Sequence, residues 1–461
     1  MHTHEKIFLR KSEKTAFDLQ HRKTIAFNMS KYNAAVEKGR QQWVDLEGAR
    51  QKAASLKREA LQNLDEYLLV FEKNFTRNGG KVLWASNAKE AMEQILEILT
   101  LRGVKKVVKS KSMTTEEIEF NEALEEAGIT SIETDLGEFI VQEAGEKPYH
   151  IVTPAMHKSK KDIARLFHEK FNTPPDSSAE DLTLFVREYL RKQFISADAG
   201  ITGANFLLPG IGGIALTENE GNALMSTAFP KIHIAIAGIE KIIPSVKDLG
   251  LFWTLLSSHG TGQKMTCYNS VFTGPKRNGE ADGPEEMFVI LLDNGRTELL
   301  RQPKQNIALT CIRCGACLNA CPVYRNIGGY TYESVYSGPI GSVITPFYKG
   351  FRDFKHLSFA CTICGKCTEV CPVKIDLHKL MLYNRRDTVE NKHSSWFWNF
   401  SVKAFKNSVI KRKRMDFFSP GMKNLGMKTA GKNLWGKRRN PLKFKKSFQK
   451  QYMLRYSKNT K

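Results

Sequence analysis

CIRCGACLNACP, residues 311–322, and CTICGKCTEVCP, residues 361–372, hold eight of the nine cysteines of this chain. Both read C-x2-C-x2-C-x3-C-P. The first uses Cys311, Cys314, Cys317 and Cys321 before Pro322, the second Cys361, Cys364, Cys367 and Cys371 before Pro372. This is the spacing of bacterial ferredoxins with a pair of [4Fe–4S] clusters, in which the fourth cysteine of each run ligates the other cluster. Two [4Fe–4S] clusters are therefore expected. Cys311, Cys314, Cys317 and Cys371 are assigned to the first, and Cys361, Cys364, Cys367 and Cys321 to the second.

The spacing has a physical reason. Each iron of a cubane takes one thiolate, and two-residue gaps let three cysteines converge from one tight turn. Gly315 and Gly365 follow the second cysteine of each run and supply backbone angles closed to other residues. The proline after each fourth cysteine lacks an amide donor and fixes where the chain leaves the site. Zinc sites take cysteines in two C-x2-C pairs rather than a triplet with a distant fourth. Disulfides need an oxidising compartment, and no export signal is visible.

Thirty-nine residues separate Cys321 from Cys361, with Gly328, Gly329, Pro339, Gly341 and Pro346 among them. Helical motif ends and this long insert predict a mainly α-helical ferredoxin-type domain over residues 301–390, not a small β-hairpin ferredoxin.

A length of 461 residues allows two or three domains. Met1 to Lys14 is polar and charged, so no signal peptide is expected, and no run approaches the ~18 apolar residues of a membrane span. The apolar runs Phe206 to Leu216 and Ile232 to Ile243 are broken by Gly and Pro and read as buried strands. A cytoplasmic protein is expected. Cys267, the ninth cysteine, reads as a small buried hydrophobe.

Ahead of the cysteines, strand and helix patterns alternate. Ala60 to Phe75 reads as an amphipathic helix, Lys81 to Ala85 as a strand and Ala88 to Thr100 as a helix. Lys105 to Lys109 reads as a strand, Thr114 to Ala127 as a helix, Thr130 to Glu133 as a strand and Asp181 to Gln193 as a helix. This alternation predicts a parallel α/β sheet over residues 59–300, preceded by a charged helical segment, 1–58. The stretch Ala197 to Asn222 is dense in glycine: Gly200, Gly203, Gly210, Gly212 and Gly213. It reads first as sharp antiparallel turns that only glycine tolerates, and second as a backbone-amide nest for an anion, with Glu218 and Glu220 nearby. Neither a phosphate-binding P-loop nor a dinucleotide fingerprint is present. His157 and His233 read as structural histidines.

The formal charge of +22 is unevenly spread. From Ser401 to Lys461 there are 19 Lys or Arg and one acid, Asp416, against 51 basic and 47 acidic residues before it. Residues 391–461 thus form a basic aromatic C-terminal region. Trp396, Phe397, Phe400, Ala404, Phe405 and Val409 recur near helical spacing, and Phe417, Phe418, Trp435, Phe444 and Phe448 follow. Docking on acidic partner subunits ranks first for this tail and peripheral contact with an anionic membrane surface second. Nucleic acid ranks last, because no recognition module accompanies it.

The segments SKSMTTEEIEFNEALE, HIVTPAMHKSKKDIA, GITGANF, TENEGNALMSTAFPKIHIAIAGIEKIIP, CIRCGACLNACPVYRNIGG, YSGPIGSVITP and CGKCTEVCPVKIDL resemble the lactate utilisation protein B family. The resemblance extends to about residue 440. It implies an α/β LUD domain, similar to the CoA-transferase and sugar-phosphate-isomerase folds, ahead of a two-cluster ferredoxin-type domain. It also implies electron transport in oxidation of L-lactate to pyruvate, alongside other lactate-utilisation subunits. The cluster cysteines carry over to the eight named above; catalytic residues do not, and a shared fold is no evidence of transferase activity. Two functions remain open. One is a non-catalytic electron-transfer subunit. The other is a redox enzyme whose own α/β domain binds an organic-acid or CoA-like ligand and uses the clusters as an internal wire.

Overall fold

Six strands form a wholly parallel sheet in the order β1-β9-β7-β4-β2-β3. They are β1 (Lys81–Ala85), β2 (Lys106–Lys109), β3 (Thr130–Glu133), β4 (Ala199–Thr202), β7 (Ile232–Gly238) and β9 (Glu286–Leu292). A second, antiparallel sheet is built from β5 (Phe206–Leu208), β6 (Gly213–Glu218) and β8 (Tyr268–Phe272), in the order β5-β6-β8. The computed structural model describes residues 3–394, 396–415, 417–431, 440, 442–447, 451–453, 455 and 456.

Every residue of β7 is buried, as expected of a strand covered on both faces. Ile234 and Ile236 pack with Ile95, Leu99 and Phe120 on one face of the sheet. Ala235 and Ala237 pack with Leu68, Phe71 and Phe75 on the other. The strict alternation of the pleat thus divides IHIAIAG between two helical layers.

The structure departs from the sequence reading at several places. The helix expected over Ala60 to Phe75 breaks at Asn63 (φ −118°, ψ 36°), giving Leu46–Gln62 and Leu64–Arg77. The Asn63 backbone N–H and side-chain Nδ2 both donate to the Glu59 carbonyl, closing one helix before the next begins. Thr114 to Ala127 likewise divides into Met113–Glu117 and Phe120–Glu126, with Glu119 in the left-handed region between them. The glycine-dense stretch is not antiparallel throughout: β4 joins the parallel sheet, and only β5 and β6 pair as a hairpin. At Gly200 a Cβ would lie 1.6 Å from the Ser226 carbonyl oxygen; at Gly212 (φ +57°) it would lie 2.3 Å from the Phe75 nitrogen. Close backbone approach explains both glycines. Cys267 is exposed, not buried, because it directly precedes the edge strand β8.

The cysteine-bearing region is helical, with Ala316–Ala320, Pro322–Ile327, Gly338–Lys349, Lys366–Glu369 and Leu377–Glu390. The N-terminal helices clamp it. Phe8 packs on Tyr332 and His356, and Lys11 Nζ meets Glu333 Oε1 at 2.8 Å. One continuous core runs from Phe206 and Phe252 of the α/β region to Leu318, Tyr324 and Val343 of the helical one. Met1–Asp387 forms one compact unit and Thr388–Lys461 a second. In the second unit the helix Trp396–Val409 buries none of its residues and leaves Trp396, Phe397, Phe400 and Phe405 exposed. Of the tail aromatics singled out by sequence, Trp435 and Phe448 lie outside the described residues. No helix among the described residues is long and apolar enough to cross a membrane.

Candidate metal centre

The two cysteine runs adopt the same backbone twice. Arg313 and Ile363, each two residues after a first cysteine, take φ of +60° and +56°, and Gly315 and Gly365 both take +79°. A β-branched residue such as Ile363 in the left-handed region is a genuine outlier, and strain of this kind persists where surrounding structure enforces it. Here it turns amides toward sulfur. The N–H groups of Arg313 and Ile363 donate to Cys311 Sγ (3.4 Å) and Cys361 Sγ (3.3 Å). Those of Tyr324 and Ile375 donate to Cys321 Sγ (3.5 Å) and Cys371 Sγ (3.3 Å).

The fourth cysteine of each run lies near the other run. Cys371 acts electrostatically on Cys314 and Cys317, together with Cys311. Cys361 and Cys364 act on Cys321, and Cys321, Cys361, Cys364 and Cys367 line one small cavity. Cys317 also feels Cys367, so the two sets adjoin. Burial first, and the neighbouring sulfurs after it, push the Cys367 thiol up to about 12. Burial likewise pushes Cys371 up to about 11. Crowded, buried thiols resist ionising together unless a cationic centre binds them, which is the donor chemistry of an iron–sulfur cluster. Among the described residues no three His, Cys, Asp or Glu side chains surround a single ion; a cubane spaces its thiolates more widely than one ion does.

Exposure differs between the runs. Cys364 is exposed, whereas Cys314, Cys317, Cys321, Cys367 and Cys371 are buried. Lys366, between two cysteines of the second run, points to solvent and pairs with Glu369 at 3.0 Å.

Several supporting residues escaped the sequence reading. Arg50 donates to the Cys371 carbonyl from Nε (3.1 Å) and Nη2 (2.8 Å), and Arg385 Nη2 to the Cys361 carbonyl (2.8 Å). Glu240 accepts from Arg296 Nε (2.5 Å) and Arg313 Nη2 (3.3 Å). Burial alone would raise the Glu240 carboxyl, but these two guanidinium groups bring it down to about 2. Such partners stand tens to hundreds of residues apart, so no local pattern announces them. His157 bonds Glu146 Oε2 at 2.7 Å and His233 bonds Thr202 Oγ1 at 2.8 Å.

These features define an α/β domain joined to a two-cluster iron–sulfur domain, the build of an electron-transport protein. The family model of the LUD domain matches residues 68–292, and that of the 4Fe-4S dicluster domain matches residues 307–375, giving two [4Fe–4S] clusters. Lactate utilization protein B of Shouchella clausii is 44% identical over 354 residues, covering 77% of this chain and 74% of that protein. The uncharacterized electron transport protein YkgF of Escherichia coli is 43% identical over 356 residues, covering 77% and 75%. This chain belongs to the lactate utilization protein B family. A crystal structure of a duf162 family protein from Deinococcus radiodurans overlaps at a TM-score of 0.28 and 15% identity, covering 50% of this chain and 98% of that one. That overlap is too loose to carry a fold assignment.

Proposed function

We propose that this chain is an electron-transfer subunit in the oxidation of L-lactate to pyruvate, and that the lactate-oxidising centre sits on a partner. Relatives named for lactate utilization support the pathway. Cys311, Cys314, Cys317 and Cys371 are assigned to one [4Fe–4S] cluster, and Cys361, Cys364, Cys367 and Cys321 to the other. Such clusters are one-electron carriers, so an adjoining pair suits the two electrons that leave lactate with two protons.

The observation that carries this reading is the pair of thiol sets, adjoining at Cys317 and Cys367 and unequal in exposure. Exposed Cys364 marks the second run as the port that faces a redox partner. The buried first run lies deeper, among the α/β residues. The partners are assigned as other lactate-utilisation subunits. The basic segment from Ser401 is assigned to docking on their acidic faces, with the membrane surface as the second reading. The kinship of the α/β domain to CoA-transferase and sugar-phosphate-isomerase folds rests on the family resemblance and brings no activity with it.

The test gives purified, cluster-loaded protein L-lactate and an artificial acceptor. No turnover alone, with turnover on adding the partner subunits, is the expected result. Turnover by the isolated chain overturns the subunit reading.

A further inference from the structure

The carboxyl ends of β2, β4 and β7 open into a cavity of about 660 Å³. In open parallel sheets this crevice is where ligands bind, and the volume lies inside the roughly 300–1,000 Å³ range of ligand pockets. One wall is the α/β domain, at Ser110, Gly203 and Lys241. The opposite wall is the first cysteine loop, at Arg313 and Cys314. The cavity therefore lies against the first thiol set, a place that electron relay alone does not require.

Its two ends differ in charge. At one end stand Lys241 and Arg313. Arg313 is 9% exposed, and its Nε and Nη1 have no hydrogen-bond partner. Its Nη2 reaches Glu240, and its guanidinium lies over the Tyr336 ring at 4.5 Å. Arg296 is matched by Glu117 and Arg313 by Glu240. The Lys241 ammonium makes no ion pair or hydrogen bond among the described residues, and the buried Lys57 nearby donates only to the backbone carbonyls of Glu240 and Ile242, so this end carries an excess of positive charge. Buried donors without acceptors are costly, and a bound anion satisfies them.

At the other end stand Glu218 and Glu220. Glu218 accepts from the N–H groups of Ala223 and Leu224, and Glu220 from that of Leu136. The strongest charges on Glu220 are Asp135, Lys111 and Glu218; the strongest on Lys241 are Arg313, Glu240, Cys311 and Arg296. Each end thus answers first to its own neighbours. Carboxylates of this kind receive hydroxyl groups, and the buried Ser110 Oγ on the wall has no partner either.

We propose that this cavity binds a hydroxylated organic carboxylate, with its carboxylate between Lys241 and Arg313 and its hydroxyl groups toward Glu218 and Glu220. The excess positive charge at this end complements an anion. The neighbouring thiolates of Cys311 and Cys314 repel any anion here, and a phosphate dianion about twice as strongly as a monoanionic carboxylate. The volume admits acids longer than three carbons. The site does not depend on the lactate pathway, since it follows from the lining alone.

Anaerobic calorimetry on the full, cluster-loaded chain tests this with D-gluconate, L-lactate, hexanoate and inorganic phosphate in separate titrations. Saturable binding of a hydroxy acid is expected, tighter than hexanoate or phosphate. Lys241→Met is expected to weaken it roughly tenfold or more, the weight of one charge-assisted hydrogen bond. Lys241→Arg keeps the charge and holds affinity within a few-fold. Lys247→Met, on the neighbouring exposed turn, leaves it unchanged. If Lys241→Met fails to load its clusters, Glu220→Gln replaces it and is expected to erase the preference for gluconate over hexanoate. Absence of saturable binding by both hydroxy acids, tighter binding of phosphate, or indifference to the variant used overturns the proposal.

Discussion

Arg296 holds Glu117 through two parallel hydrogen bonds, Nη1 to Oε1 at 2.8 Å and Nη2 to Oε2 at 2.9 Å, with both side chains buried. The Tyr336 hydroxyl donates to the same Oε2 at 2.6 Å, and Arg296 Nε reaches Glu240, which in turn takes Arg313. A chain of alternating charges thus runs from the α/β domain to the loop between Cys311 and Cys314. Removing Arg296 leaves the buried Glu117 without a cation and Glu240 with Arg313 alone, and loss of one partner from such a network costs about 3–5 kcal/mol. Arg296→Met is expected to lower the anaerobic urea midpoint sharply; an unchanged midpoint contradicts this role.

Glu240 and His233 contribute to the acid limb of stability, alongside His150 and His259, which burial lowers to about 4. Glu240, held at about 2 against an ordinary 4.5, stays ionised in the folded state where the unfolded chain takes up a proton. Its stabilisation is full above the unfolded value and is lost as pH falls toward 2. Burial depresses His233 from 6.5 to about 3, so the folded state excludes a proton that the unfolded chain binds below 6.5. That contribution is also lost on acidification, from pH 6.5 toward 3. Both slopes share a sign, so the unfolding midpoint should fall steadily from pH 6.5 to 3. His233→Asn should flatten the upper part of that curve, and an identical slope in the variant counts against the assignment.

Three glycines should rank by what a methyl group meets. At Gly365 (φ +79°) nothing lies within 4 Å, so Gly365→Ala adds only left-handed strain, about 1–2 kcal/mol. At Gly315, with the same φ, the methyl also meets Val152 Cγ2 at 3.0 Å. At Gly200 it strikes the Ser226 carbonyl oxygen, which cannot turn aside without breaking the contact of β4 with the helix Asn222–Ala228. Thermal midpoints should fall least for Gly365→Ala, more for Gly315→Ala and most for Gly200→Ala. Any other order argues against close approach as the reason for Gly200.

The cysteine runs were legible because their chemistry is local: a thiolate every third residue leaves few alternatives. Strands β1 and β3 fall at their expected bounds, because KVLWA and TSIE are short apolar or β-branched runs flanked by turns. The break at Asn63 was not legible, since Ala60 to Phe75 keeps its apolar period across the join. The charge chain was hidden for another reason. Glu117, Glu240 and Arg296 each look like surface residues until the sheet and the cysteine loop close over them. Cavity residues such as Lys241 and Arg313 meet only through that same closure.

Exchange of the fourth cysteines predicts crossed phenotypes. Cys371→Ala should degrade the cluster of the first run and spare that of the second, and Cys321→Ala the reverse. Paramagnetic resonance of the reduced variants separates the two signals. If Cys371→Ala instead damages only the cluster held by Cys361, Cys364 and Cys367, each run keeps its own fourth ligand and the crossed assignment is wrong.

The most direct measurement is iron content with the resonance spectrum of the full chain, purified without oxygen and reduced by dithionite. About eight irons per chain, four for each cubane, with two interacting half-integer spins, is the predicted result. About four irons or fewer, or a spectrum of one isolated spin, contradicts a protein that passes electrons between paired clusters.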